Sequence, residues 1–139
     1  MDALQLKLCD IQGRLFELSA DKHCSSRDFV ETFMKSEVAK ALDSSFNHMQ
    51  WAGEEYLFDE LVSSHEAVIQ KEGQVLSKDI LFWVGYTYRY WSFYSGETSN
   101  QIYKIANADT MFRNYMMFHA FDPVVAIENL KEIHRQKKV

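Results

Sequence analysis

The residues most suited to chemistry lie in the last third of the chain. Arg113-Asn114-Tyr115-Met116-Met117-Phe118-His119 places an arginine and a histidine at the two ends of one heptad, with a polar residue directly after the arginine. A guanidinium can stabilise charge on a phosphate, and an imidazole titrates near neutrality and can pass a proton in either direction. The plainer reading is a histidine ending a helix, where a cation offsets the helix dipole in any case. Arg89 is the other distinctive cation. It stands between Tyr88 and Tyr90 with Trp91 beyond, so it is either stacked and paired with a carboxylate or turned towards a partner. Glu54, Glu55 and Glu97 are its candidate carboxylates, and Arg89, Tyr90, Trp91, Glu54 and Glu55 make up the candidate binding set. Glu55 and Asp59 lie one helical turn apart, which suits either acid/base work or a solvated acidic face.

Other chemistries lack their residues. His23, His48, His65 and His134 show no HExxH or ExxH spacing, and Cys9, His23 and Cys24 would supply three zinc ligands without a fourth. No glycine-rich phosphate loop, GxSxG elbow or Cys/His nucleophile arrangement is present. We therefore expect no metal and no cofactor.

The elements that carry these residues read as helices. Leu4, Leu8, Ile11, Leu15 and Leu18 recur at helical steps, predicting a first helix that ends before His23. Ser25 with Asp28 approximates a capping box, and Phe29, Phe33, Val38, Ala41 and Leu42 predict one second helix over about Ser26 to Asp43. Ser44 to His48 reads as a loop and Trp51 to Val62 as a third helix. Over 63–76 the signal admits a small hairpin around Lys71-Glu72-Gly73 or an irregular connection, and we prefer a loop with short strands. Ser77 can cap a helix that Gly96 stops in a left-handed conformation. The period-two alternation of Tyr86-Thr87-Tyr88-Arg89-Tyr90 offers a strand instead, but length, cap and the break at Trp91-Ser92-Phe93-Tyr94 favour helix. Thr98 and Gln101 form a capping box for a short helix, Asp109 can cap the next, and Asp122-Pro123 opens the last. Lys131, Arg135, Lys137 and Lys138 crowd its final turns.

Phe82, Trp83, Tyr86, Tyr88, Tyr90, Trp91, Phe93 and Tyr94 cover more than one face of the Ser77–Gly96 helix. Such a helix belongs in the middle of the fold, wrapped by the others. The competing reading, a base-stacking platform around Arg89, requires a Lys/Arg stripe that the flanking segment lacks. With 139 residues, one proline and five glycines, the chain predicts a single all-α domain over 1–139: a compact bundle of six to seven helices around a central aromatic-rich helix.

Charge and targeting narrow the function classes. A net charge of −5 repels nucleic acid at long range, so a protein partner or self-association is favoured over nucleic acid. Cys9 and Cys24 form no CxxC pair and read as buried thiols of a reducing compartment. The start Met1-Asp2-Ala3 carries no secretory signature, and the apolar stretch Ile80 to Tyr94 is too short to span a bilayer and contains Arg89. We expect a cytoplasmic location and no membrane.

Two resemblances add to this. Phe33-Met34-Lys35-Ser36 with Ala39 and Leu42-Asp43-Ser44, Gln50-Trp51-Ala52-Gly53-Glu54-Glu55-Tyr56, Trp83-Val84-Gly85-Tyr86-Thr87-Tyr88-Arg89-Tyr90-Trp91, Ser95-Gly96-Glu97-Thr98-Ser99 and the stretch Tyr115 to Asp122 together resemble a family of small uncharacterised proteins of gut Firmicutes. That family is associated with toxin–antitoxin-like loci, some of them encoding ADP-ribosyltransferase-like toxins. The resemblance implies a non-enzymatic interaction module, an antitoxin-like or accessory partner of a toxin, and assigns no catalytic residues. Separately, the heptad Arg113 to His119 resembles the Arg-x(4–6)-His pattern of HEPN ribonucleases. That likeness implies, as the alternative, a metal-independent ribonuclease using Arg113, Asn114 and His119, with Arg113 on the phosphate and His119 in acid/base chemistry across a dimer interface. The first reading is the leading expectation.

Overall fold

A computed structural model describes residues 1–44, 52–65 and 73–137. These form eight α-helices: α1 (Ala3–Asp21), α2 (Ser26–Met34), α3 (Glu37–Asp43), α4 (Glu54–His65), α5 (Lys78–Ser95), α6 (Ser99–Ile105), α7 (Ala108–Phe118) and α8 (Pro123–Lys137). The architecture is all-α, and no strand occurs among the described residues.

Most boundaries follow local chemistry. Ser77 accepts a hydrogen bond from the Ile80 amide, and Gly96 ends α5 at φ +79, the left-handed conformation in which an added Cβ would be strained. The alternation of Tyr86 to Tyr90 is therefore helical. Thr98 and Gln101 close the expected capping box on α6. Asp122 accepts from the Val124 amide at 3.1 Å, with Pro123 in the first helical position.

Three expectations need correction. The single helix over Ser26 to Asp43 is two helices, because the Ser36 hydroxyl both donates to the Phe33 carbonyl (2.6 Å) and accepts from the Ala39 amide (3.1 Å). A serine side chain that substitutes for backbone partners in this way ends one helix and starts another. The Ser25–Asp28 box does not form, since Ser25 makes no side-chain cap. Residues beyond α2 hold its start instead: Ser26 N–H donates to the Gln74 carbonyl and Ser26 Oγ accepts from the Leu76 amide, at 3.0 and 2.9 Å. Asn107, not Asp109, caps α7, accepting from the Thr110 amide at 3.0 Å. The expected loop around Ser45 to His48, the Trp51 start of the third helix, the turn of the possible hairpin at Lys71-Glu72, and Lys138 lie outside the described residues.

The core is one apolar cluster to which every helix contributes. Its centre is the crossing of α1 and α5, the most extensive helix contact in the fold. That crossing is close because Gly85 carries no side chain: a Cβ there would stand 2.6 Å from the Gln12 carbonyl oxygen and 2.8 Å from Phe16. Phe16 in turn meets Phe29, Phe33 and Tyr88 edge-on, with ring centroids 5.4, 5.3 and 6.4 Å away, an arrangement that aromatic quadrupoles favour. Helix α5 also contacts α6, α7 and α8, the central position its aromatic content predicts. No helix among the described residues is long and apolar enough to cross a membrane.

Candidate functional site

Arg89 projects from α5 into the interior and is 1% exposed. All three of its donor nitrogens are engaged: Nε donates to Gln12 Oε1 (2.8 Å), one terminal nitrogen to Asp43 Oδ1 (2.6 Å) and the other to Ser99 Oγ (3.1 Å). Asp43 also accepts from the Ser99 amide and hydroxyl at 2.9 and 2.8 Å, and Gln12 donates to the Gly85 carbonyl at 2.9 Å. Burial pulls the guanidinium below its ordinary value and Asp43 pulls it back up. No buried side-chain nitrogen or oxygen among the described residues lacks a hydrogen-bond partner. This network ties α1, α3, α5 and α6 together and commits the Arg89 guanidinium to the interior.

The carboxylate that pairs with Arg89 is thus Asp43, not Glu54, Glu55 or Glu97. Glu54 is half-buried and Glu55 exposed at the start of α4. Glu97 accepts from Trp91 Nε1 at 2.9 Å and pairs with Lys131 at 3.4 Å. Burial pushes the Glu97 carboxyl up, but the hydrogen bonds from Trp91 and Ser95 and the Lys131 charge hold it below its usual value. Trp91 is fully buried with Lys131 over its ring, and Tyr90 is half-buried beside Tyr86. Of the candidate binding set, Arg89 and Trp91 therefore face the interior. Cys9 and Cys24 are buried thiols, and burial drives Cys9 up to about 12, so it stays protonated. No group of three His, Cys, Asp or Glu among the described residues is placed to hold a metal.

The heptad on α7 divides between two directions. Arg113 is exposed, and Asn114 turns back to the Thr110 carbonyl at 2.8 Å. His119 continues the helical backbone as C-cap, so six residues set it roughly 120° around the axis from Arg113 and about 9 Å along it. Its ring lies on Tyr115, centroids 4.4 Å apart, with Nδ1 2.8 Å from the Tyr115 carbonyl. A carbonyl only accepts, so a proton on Nδ1 satisfies this contact and leaves Nε2 as the acceptor when the ring is neutral. Arg113 and His119 make no hydrogen bond or ring contact with each other within one copy of the chain.

His119 instead borders an open cavity of about 330 Å³ between α1, α5 and α7. Its floor comes from α5, where Asp79, Phe82, Trp83 and Tyr86 form an i, i+3, i+4, i+7 stripe. Tyr115 closes one side with its ring at 74° to that of Trp83, centroids 5.7 Å apart. Glu17 of α1 stands at the rim. Phe82 reaches its place because Gly13 leaves room: a Cβ on Gly13 would lie 2.7 Å from the ring. The sequence marks these rings only as core, because what exposes them is the way α1 and α7 stop short of covering α5.

Beside the cavity, the end of α7 and the start of α8 leave large apolar side chains in water: Met116 is 79% exposed, Met117 67%, Val125 47% and Phe121 44%. Compared with known proteins, the chain matches no family, no curated protein and no solved structure.

Proposed function

We propose that the protein is a non-enzymatic interaction module that binds a protein partner at the corner between α7 and α8. The observation that carries this reading is the exposure of Met116, Met117, Phe121 and Val125 on neighbouring turns. Apolar side chains are commonly exposed one at a time, whereas several on adjacent turns mark a surface that another molecule covers. Methionine suits such a surface, since its flexible, polarizable thioether adapts to a partner's shape. A net charge of −5 favours a basic partner, and a toxin held inactive by this chain is the partner class that the resemblance in sequence implies.

A photo-crosslinking amino acid placed at Met117 in the native host should capture one discrete protein, and one placed at Lys40 should not. Combined Met116→Lys and Met117→Lys should abolish capture while leaving helical circular dichroism unchanged, and should remove protection in a growth assay against the captured protein. Equal capture from both positions, or cross-links only to a second copy of this chain, would overturn the reading.

A further inference from the structure

The cavity beneath His119 is a separate feature from the exposed methionines, and its lining has a definite chemistry. Its walls are rings, with Trp83 and Tyr115 meeting as a corner and Phe82 and Tyr86 stacked at 5.8 Å along α5. Its polar lining includes two carboxylates, Glu17 and Asp79, and the His119 imidazole that lies on Tyr115. The cations near them are already committed: Lys78 pairs with Asp21 at 2.5 Å, and Arg14 pairs with Asp10 at 2.7 Å. Neither Glu17 nor Asp79 has a hydrogen bond or ion pair among the described residues. Glu17 is raised above its ordinary value, first by burial, which Lys78 and Arg14 oppose and Asp79 and Asp21 reinforce.

We infer that the cavity between α1, α5 and α7 binds an organic cation of the alkylammonium class, its methyl or methylene groups against Trp83, Tyr115 and Tyr86 and its charge balanced by Glu17 and Asp79. Aromatic rings attract cations through their negative faces, and they do so most strongly for alkylated ammonium groups that lose little hydration on entry. A metal ion would need converging oxygen or nitrogen ligands in place of rings. An anion would meet two carboxylates, and a neutral apolar ligand would leave them uncompensated. The volume of about 330 Å³ falls within the range of small-molecule sites, about 300–1,000 Å³. The same chemistry is carried by a free quaternary ammonium and by a methylated lysine side chain.

Choline chloride titrated into the full chain should shift the Trp83 indole N–H resonance saturably, the resonance being assigned from Trp83→Phe. Its neutral carbon isostere, 3,3-dimethylbutan-1-ol, should bind about tenfold more weakly or not at all. Glu17→Gln combined with Asp79→Asn should lose about tenfold in choline affinity with the helical spectrum unchanged. A trimethyllysine peptide binding more tightly than choline would identify a protein side chain as the source, and the reverse order a free cation. Met117→Lys should keep choline binding, so failure at the methionine surface and failure at the cavity are distinguishable. Absence of a saturable shift, equal binding of the isostere, or indifference to the double carboxamide substitution would overturn the inference.

Discussion

At the scale of single residues, the decisive finding is that the arginine set between two tyrosines has a structural occupation. Arg89 is held by Gln12, Asp43 and Ser99, three residues 77, 46 and 10 positions away in sequence. A buried ion pair of this kind repays its desolvation only when every donor is met, and removing one partner strands the other. Asp43→Ala should therefore destabilise the protein by about 3–5 kcal/mol, and adding Arg89→Met to it should restore part of the loss, because an apolar pair leaves no orphaned charge. Urea unfolding of the single and double variants checks this; a double variant no more stable than Asp43→Ala would show that Arg89 is not the stranded group. The sequence left Arg89 either paired with a carboxylate or facing a partner, and offered as carboxylates Glu97 just past the end of its helix and the acidic pair Glu54-Glu55, since pairing across helices leaves no local trace. For the cavity the limit was different. Glu17 and Asp79 look like ordinary surface acids until Phe82, Trp83 and Tyr86 are seen beside them.

At the scale of elements, capping chemistry made α5, α6 and α8 legible, because a cap is a local exchange between one side chain and one amide. Ser77, Gly96, Thr98 with Gln101, and Asp122 with Pro123 each mark a boundary that can be read without tertiary knowledge. The break between α2 and α3 was missed because the apolar period runs through it: Phe33 and Val38 are both buried, so the core stripe continues while the backbone turns at Ser36. The α1–α5 crossing was equally hidden, for it depends on what Gly85 lacks. Gly85→Ala would drive a Cβ against the Gln12 carbonyl, which belongs to helical backbone and cannot swing aside. Overpacking of that sort costs about 1–3 kcal/mol, and the axis shift it forces also strains the Gln12 bonds to Arg89 and Gly85. We expect a loss of at least about 2 kcal/mol in chemical unfolding. Gly53→Ala, whose Cβ would meet nothing within 4 Å but which replaces the residue whose carbonyl accepts the first bond of α4, should cost less, about 1 kcal/mol or below, through the cap alone.

At the scale of the whole molecule, composition and periodicity were enough for the all-α class and for the central place of the aromatic helix, because both follow from how much apolar surface the pattern must bury. Which helix packs against which was not readable, and it decides how the molecule holds together. Helices α1 and α5 are joined by apolar contact around Phe16 and by the Gln12 bonds to Arg89 and Gly85. If α1 lifted away alone, it would strip a partner from a buried guanidinium and expose Leu15 and Phe16 at once, a cost close to that of unfolding the whole domain. Native-state hydrogen exchange should therefore find the amides of Gln12 to Phe16 and of Val84 to Tyr88 among the slowest, with opening free energies that agree with each other and with global unfolding. The exposed last turn of α8 should open at far lower cost. Were the α1 amides to exchange orders of magnitude faster than those of α5, the first helix would be a detachable arm, and the cavity it borders through Glu17 would open and close with it.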